Sequence, residues 1–269
     1  MTLDLLLGRI GRKSLVSINH LLNLTAFTYR LFVLMVRPPA AGRALVRRIV
    51  FEQVYFTAVQ ALPVILPFAL ILGAMLIFQF AQLAGPYDLG KTTVLLIVRE
   101  FGPIATAFLV ILRSATAVTI EIGYMSVLHE IDAVEMMGLD PLHLICIPRL
   151  IGITSAVLCL FIVFDVTSIL GGYGLAWLVS DIPLGGLFTR LAKAITVADI
   201  TVGVVKAILF GVVITVTCLY QGLKIGRKIT AVPSATARAM IECSFYCLMI
   251  NIAVSIDRKS TRLNSSHYS

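Results

Sequence analysis

Four charged residues inside apolar sequence carry the chemistry of this chain. Arg99 and Glu100 stand just before Gly102-Pro103, and Arg113 and Glu121 follow in the same long hydrophobic run. Charge in a segment of bilayer length is costly and marks pairing or function. The fork of an arginine matches a phosphate group. Adjacent helical positions point about 100° apart, so Arg99 and Glu100 are expected to face different ways. Arg99 suits either a lipid phosphate or, by snorkelling, the outer interface. Glu100 suits a partner within the bundle. Arg113 and Glu121 lie eight positions apart, two turns along roughly one face. A structural ion pair or a contact to a loop carbonyl is favoured for them over contact with substrate. Asp165 is a further buried carboxylate, with Lys206 or Arg113 as possible partners.

A different pattern fills residues 124–141. Leu128, Ile131, Val134 and Met137 recur at i, i+3 spacing, while Glu130, Asp132 and Glu135 lie off that stripe and His129 belongs to the surface. Met136 and Met137 add adaptable apolar contact. Gly138 suits a helix C′ position, and Asp140-Pro141 prevents continuation. A helix of about ten residues is expected, too short to stand alone. A compact acidic element between two membrane-length segments suits docking to a soluble partner with a basic groove.

No catalytic constellation accompanies these residues. The sequence has no P-loop, no H-E-x-x-H and no G-x-S-x-G, so neither catalytic residues nor a metal or cofactor held by this chain is expected. The five cysteines, Cys146, Cys159, Cys218, Cys243 and Cys247, lie in or beside apolar runs and read as buried small hydrophobes.

The elements that must position these charges follow from composition. Hydrophobic residues make up 59% of the 269 and charged ones 13%, with mean hydropathy +0.97. Soluble domains run near half apolar and a quarter charged. The length suits about five membrane spans, and no polar stretch is long enough for a soluble domain. The net charge of +8 fits Lys/Arg on the cytoplasmic side and comes without a recognition motif for nucleic acid, which is not expected as a partner.

Residues 1–48 are mixed, with Arg9, Arg12, Lys13, Arg30 and Arg43 among leucines. They predict a basic amphipathic helix lying in the interface, ended by Pro38-Pro39, with a first spanning helix over about 15–36 as the alternative. Spans are predicted at about 50–80, 92–123, 143–179, 199–222 and 239–256. Pro63 and Pro67 predict a kink in the first. Gly171-Gly172 and Gly174 predict a break or close packing in the third. The loops fall at 81–91, 180–198 and 223–238, the last bearing Lys224, Arg227, Lys228 and Arg238. The positive-inside rule then places the N-terminal segment, the 124–141 block and the 223–238 loop in the cytoplasm. The abruptly polar residues 257–269 resemble translated vector sequence and are expected to be a non-native tail.

Several stretches together carry a resemblance to a known family. R-E-F-G-P at Arg99–Pro103, E-I-G at Glu121–Gly123, H-E-I-D-A-V-E-M-M-G-L-D-P at His129–Pro141 and I-P-R at Ile147–Arg149 resemble the MlaE (YrbE) permeases, membrane subunits of MCE-type ABC transporters. The resemblance covers about residues 10–256. It implies an all-α integral membrane protein forming a single permease domain over 1–256, with an interfacial segment at 1–48 and a transmembrane bundle at 50–256. It implies a homodimer in the bacterial inner membrane. A separate ABC ATPase using ATP and Mg and a periplasmic MCE-domain protein are the implied partners, and lipid, usually phospholipid, is the implied substrate. His129–Gly138 becomes the cytoplasmic coupling helix between spans two and three, with His129, Glu130, Ile131, Asp132, Val134, Glu135, Met136, Met137 and Asp140 as its contact residues. Arg99 and Glu100 are assigned to substrate or its cavity, and Arg113 and Glu121 to structural charge. The alternative is an ion- or proton-coupled transporter of an apolar substrate using Glu100, Asp165 or Glu121.

Overall fold

A computed structural model describes residues 2–36, 43–83, 96–179, 197–226 and 228–266. Among these residues there is no strand, and every element is helical. Five helices are long and apolar enough to cross a membrane: Val46–Gln79, Ile97–Val127, Leu142–Gly174, Val197–Leu223 and Ile229–Ile256. The chain is a multi-pass membrane protein.

The first span consists of α2 (Arg43–Thr57) and α3 (Leu62–Leu83), joined through Ala58 and a 3-10 turn at Val59–Ala61. Pro63 stands in the first turn of α3, where its missing N–H leaves no intrahelical bond unmade. The change of winding therefore precedes the proline. Pro67 lies inside α3.

The second span, α4 (Ile97–Val127), is wound in four pieces. A π segment at Ile97–Phe101 and another at Ile111–Ala115 alternate with α-helix at Gly102–Val110 and Thr116–Val127. Such π turns loosen the i→i−4 ladder and recur at functional sites. Here the first carries Arg99 and Glu100 and the second carries Arg113.

After α4 comes the short helix α5 (Glu130–Met136). A third π turn, Leu142–Cys146, leads into α6 (Ile147–Val179). The fourth span is α7 (Val197–Leu223). A 3-10 turn at Ile229–Ala231 then opens α8 (Val232–Ser266). The fifth span thus begins about ten residues earlier than the expected 239. Pro233 sits in the first turn of α8, and the small polar residues after it bond back to their own helix, as Thr236 does to Val232 O at 2.9 Å. These residues read as a loop by polarity but are satisfied as helix.

The core is built by α4, α6 and α7, where Ile111, Ile122, Ile153, Leu160, Phe164, Phe210, Ile214 and Leu219 are fully buried. The first and fifth spans flank it and leave apolar faces uncovered, such as Ile71 and Met75 on α3 and Ile241, Phe245 and Ile252 on α8. Hydrocarbon is a matching solvent for such faces. Close packing of α3 on α6 depends on small residues. A Cβ added to Gly73 would meet Ser168 O, a backbone atom, at 2.2 Å, and one added to Gly172 would meet the backbone of Gly73 at 2.6 Å. Gly171 and Gly172 serve packing against α3, Gly174 meets nothing within 4 Å, and the helix runs through all three unbroken.

The N-terminal helix α1 (Thr2–Val36) is not among the five spanning candidates. It places Leu24 and Leu31 against the core and leaves Leu21, Leu22, Tyr29, Phe32 and Met35 exposed. Of the expected loop at 81–91 only 81–83 are described, continuing α3, and of that at 180–198 only 197–198, opening α7. The backbone of the expected tail is described as far as Ser266, in helix α8, and 267–269 lie outside the described residues.

Candidate functional site

One end of the bundle holds a polar knot built from three spans. Lys206 on α7 is wholly buried, and its Nζ donates to Glu100 Oε2 at 2.9 Å, to Arg99 O at 3.0 Å and to Ser255 Oγ at 2.9 Å. Ser255 and Asn251 on α8 both approach Glu100, the serine at 2.9 Å and the Asn251 amide at 3.4 Å. The π turn explains how one segment feeds the knot twice. Its looser ladder exposes the Arg99 carbonyl to Lys206 while Glu100 turns to the same ammonium. It also corrects the expectation from regular helix geometry that the Arg99 and Glu100 side chains diverge. Arg99 Nε lies 3.6 Å from Glu100 Oε1, and the arginine keeps about a fifth of its side chain accessible.

Asp165 lies beside this knot but joins neither cation expected for it. Lys206 reaches Glu100, and Arg113 reaches the first span. Asp165 Oδ1 instead abuts Gly102 so closely that a Cβ there would meet it at 2.0 Å, and that oxygen has no hydrogen-bond partner among the described residues.

Arg113 and Glu121 are separated by their partners. Arg113 Nη1 donates to Phe56 O at 2.8 Å and Nη2 to Gln60 Oε1 at 3.1 Å, with the guanidinium 5.3 Å from the Phe56 ring centre. It thus ties α4 to the irregular turn at the α2–α3 junction. Glu121 pairs instead with Arg149 of α6 at 2.5 Å, and Arg149 also donates to Ile145 O at 3.2 Å.

This second ion pair braces the opposite end, where α5 is mounted. Ser126 Oγ donates to Ile225 O at 3.1 Å, and Gly222 packs against Ile122, so α4 and α7 are locked there as well. Helix α5 spans seven residues, Glu130–Met136, shorter than the expected ten. Its start is set by His129, which takes a left-handed conformation at φ 59° and whose Nδ1 lies 2.6 Å from Asp132 Oδ2. Its end is a Schellman arrangement: Gly138 at φ +77° donates to Glu135 O at 2.9 Å, and Leu139 N–H donates to Val134 O at 3.3 Å. Ile131 and Val134 are half-buried against the bundle, whereas Leu128, Glu130, Asp132, Glu135, Met136, Met137 and Asp140 are exposed. Only the middle of the apolar stripe therefore packs inward. Asp140 Oδ1 accepts the Leu142 N–H at 3.0 Å and turns the chain into α6.

A rigidly mounted acidic helix at one end and a buried charge knot at the other are joined by α4. The family model described as Permease MlaE matches residues 50–256. The chain belongs to the MlaE permease family. This MlaE permease is 25% identical over 250 residues to a probable ABC transporter permease protein of Rickettsia conorii, covering 91% of this chain and 95% of that one. It is 28% identical over 211 residues to the intermembrane phospholipid transport system permease protein MlaE of Haemophilus influenzae, covering 76% and 80%. A chloroplastic protein of Arabidopsis thaliana, TRIGALACTOSYLDIACYLGLYCEROL 1, is 24% identical over 163 residues, covering 61% of this chain and 47% of that one.

Several polar residues of this MlaE permease escaped the sequence reading as site members. Ser255 carries little signal, since a serine can bond within its own helix, whereas Asn251 is a polar residue in an apolar run that needs a partner from another helix, and only the fold shows that partner to be Glu100. Lys206 and Glu242 do carry one, as lone charges in apolar runs. Glu242 accepts from Gln221 Nε2 at 2.7 Å and lies 3.2 Å from His20 Nε2, which fastens α1 to α7 and α8. Arg149 was visible in I-P-R but had no assigned partner. Cys159 corrects another expectation, being exposed on α6, whereas Cys218 and Cys243 are buried with sulfurs 3.8 Å apart.

Proposed function

We propose that this chain is the membrane subunit of an ABC transporter that moves phospholipid between the bacterial inner membrane and a periplasmic MCE-domain protein. Two copies form the transport unit, and a separate ATPase subunit supplies the energy through ATP and Mg. The name of the Haemophilus influenzae relative supports the substrate class. The N-terminal helix lies in the cytoplasmic interface, which its sparse packing and its absence from the spanning set support.

The observation that carries the reading is the mounting of α5. The helix exposes three carboxylates and Met136, with Met137 exposed at its C-cap, yet both flanking spans are braced beneath it by the Glu121–Arg149 pair. A groove on the ATPase that grips α5 moves α4 and α6 as a rigid body. At the far end of α4, Arg99 faces the lipid phosphate in a cavity between the two copies while Glu100 is held by Lys206. The motion of α4 thereby alters the headgroup site directly.

The test is co-purification of a co-expressed ABC ATPase subunit with native permease and with a Glu130→Lys, Glu135→Lys variant. Both carboxylates are exposed, and among the described residues neither forms an ion pair, so the variant should insert normally and lose the ATPase. If the native permease never retains an ATPase, the ABC reading fails and the ion-coupled alternative takes its place.

A further inference from the structure

A cavity of about 300 Å³ lies where α1, α5, the π turn and α7 converge. Its floor is apolar, with Ile145 and Cys146 buried and Ile131, Leu142 and Leu223 half-buried. Its wall carries charges of both signs: Arg30 from α1 on one side, Glu135 and Asp140 from the α5 block on the other, all exposed. Among the described residues no ion pair or side-chain hydrogen bond joins Arg30 to Glu135 or Asp140. A cation and a carboxylate thus share one cavity without pairing.

Depth supplies a second, independent observation. Leu142 is the first residue of the third spanning candidate and Leu223 the last of the fourth. The cavity therefore lies at the α5-side ends of two helices that are both longer than the ~30 Å hydrocarbon core, and its volume is at the lower end for small-molecule pockets. That size admits a headgroup and excludes a whole lipid.

We propose that this cavity binds the headgroup of a phospholipid with a primary amine, such as phosphatidylethanolamine, from the leaflet on the α5 side. Arg30 takes the phosphate, an anion that its fork fits. Glu135 and Asp140 accept from the ammonium group, and the apolar floor receives the glycerol end. The bound lipid bridges α1 to α5 and so stiffens the element on which the ATPase pulls. The site is separate from the Arg99 knot at the other end of the bundle, and its occupancy does not depend on which substrate the permease moves.

The full chain is released from lipid nanodiscs and its adducts are read by native mass spectrometry. The discs contain phosphatidylglycerol with phosphatidylethanolamine, or with phosphatidylcholine in its place. The phosphatidylethanolamine adduct should dominate, and Arg30→Glu should weaken it roughly tenfold or more, the loss of a charge-assisted contact. Arg99→Ala, which alters only the far knot, should leave it in place and so separate it from transported lipid. Leu223→Trp, which fills the cavity without touching a charge, should abolish it, and this variant serves if Arg30→Glu does not insert. Equal adducts with phosphatidylglycerol or phosphatidylcholine would overturn the proposal, because the carboxylates then read no N–H donor. So would adducts unchanged by both cavity variants. If no adduct forms and Arg30→Glu instead releases the ATPase, the cavity holds a protein side chain and the lipid reading is wrong.

Discussion

Replacing Lys206 by methionine should destabilise the permease through Glu100 rather than through lost packing. The ammonium group contacts Glu100, Arg99 O and Ser255 at 2.9–3.0 Å. Methionine restores most of the volume and none of the charge. Among the described residues Glu100 then keeps Ser255 and Asn251 as donors, with Arg99 Nε at 3.6 Å. Breaking a buried pair on one side costs about 3–5 kcal/mol. Glu100 retains about a quarter of its side-chain exposure, so the lower end applies, about 3 kcal/mol. Glu100→Gln leaves the wholly buried Lys206 facing a neutral amide in place of the carboxylate and should also destabilise. The double variant Lys206→Met, Glu100→Gln removes both charges and should cost far less than the sum, leaving a coupling of about 2 kcal/mol or more. Reversible unfolding in mixed micelles measures all four corners of the cycle. Additivity within about 0.5 kcal/mol would refute the pairing and leave Lys206 as mere filling.

Other substitutions test the remaining joints. Gly73→Ala drives a Cβ to 2.2 Å from Ser168 O and should cost about 1–3 kcal/mol as overpacking, whereas Gly174→Ala, with nothing within 4 Å, should leave the unfolding midpoint unchanged. Gly138→Ala meets no atom but must hold φ +77°, a strain of about 1–2 kcal/mol. It should weaken retention of the ATPase without lowering the thermal midpoint of the bundle. Arg113→Met frees the Phe56 carbonyl and should lower stability by about 1.5–3 kcal/mol; the loss should shrink when Gln60 is already alanine, and equal losses in both backgrounds would place the effect elsewhere.

The spans were legible because length and hydropathy alone decide them, and Gly138 was legible because a left-handed C′ residue followed by Asp-Pro has few other meanings. The π turns were not. Nothing in I-V-R-E-F or I-L-R-S-A distinguishes π from α winding, and the convergence of Arg99 and Glu100 depends on that register. Partner choice was equally hidden. Arg113 and Glu121 share a face of one helix, but the nearer partners lie on other spans, at Phe56 and Arg149. Polarity alone puts the start of the fifth span too late, because the polar residues near Pro233 resemble loop formers while their hydroxyls bond back along the chain.

In the proposed mechanism, ATP hydrolysis in a separate subunit docked on α5 drives phospholipid past the Arg99 knot. Its most direct test reconstitutes the permease with its ATPase in vesicles carrying a labelled phospholipid, with the MCE-domain protein present. Movement of the label between vesicle and MCE protein is then followed. The account predicts transfer that requires ATP and Mg and that falls to background in the Glu130→Lys, Glu135→Lys variant. Transfer of equal rate without ATP, or one abolished by collapsing a proton gradient, would contradict it.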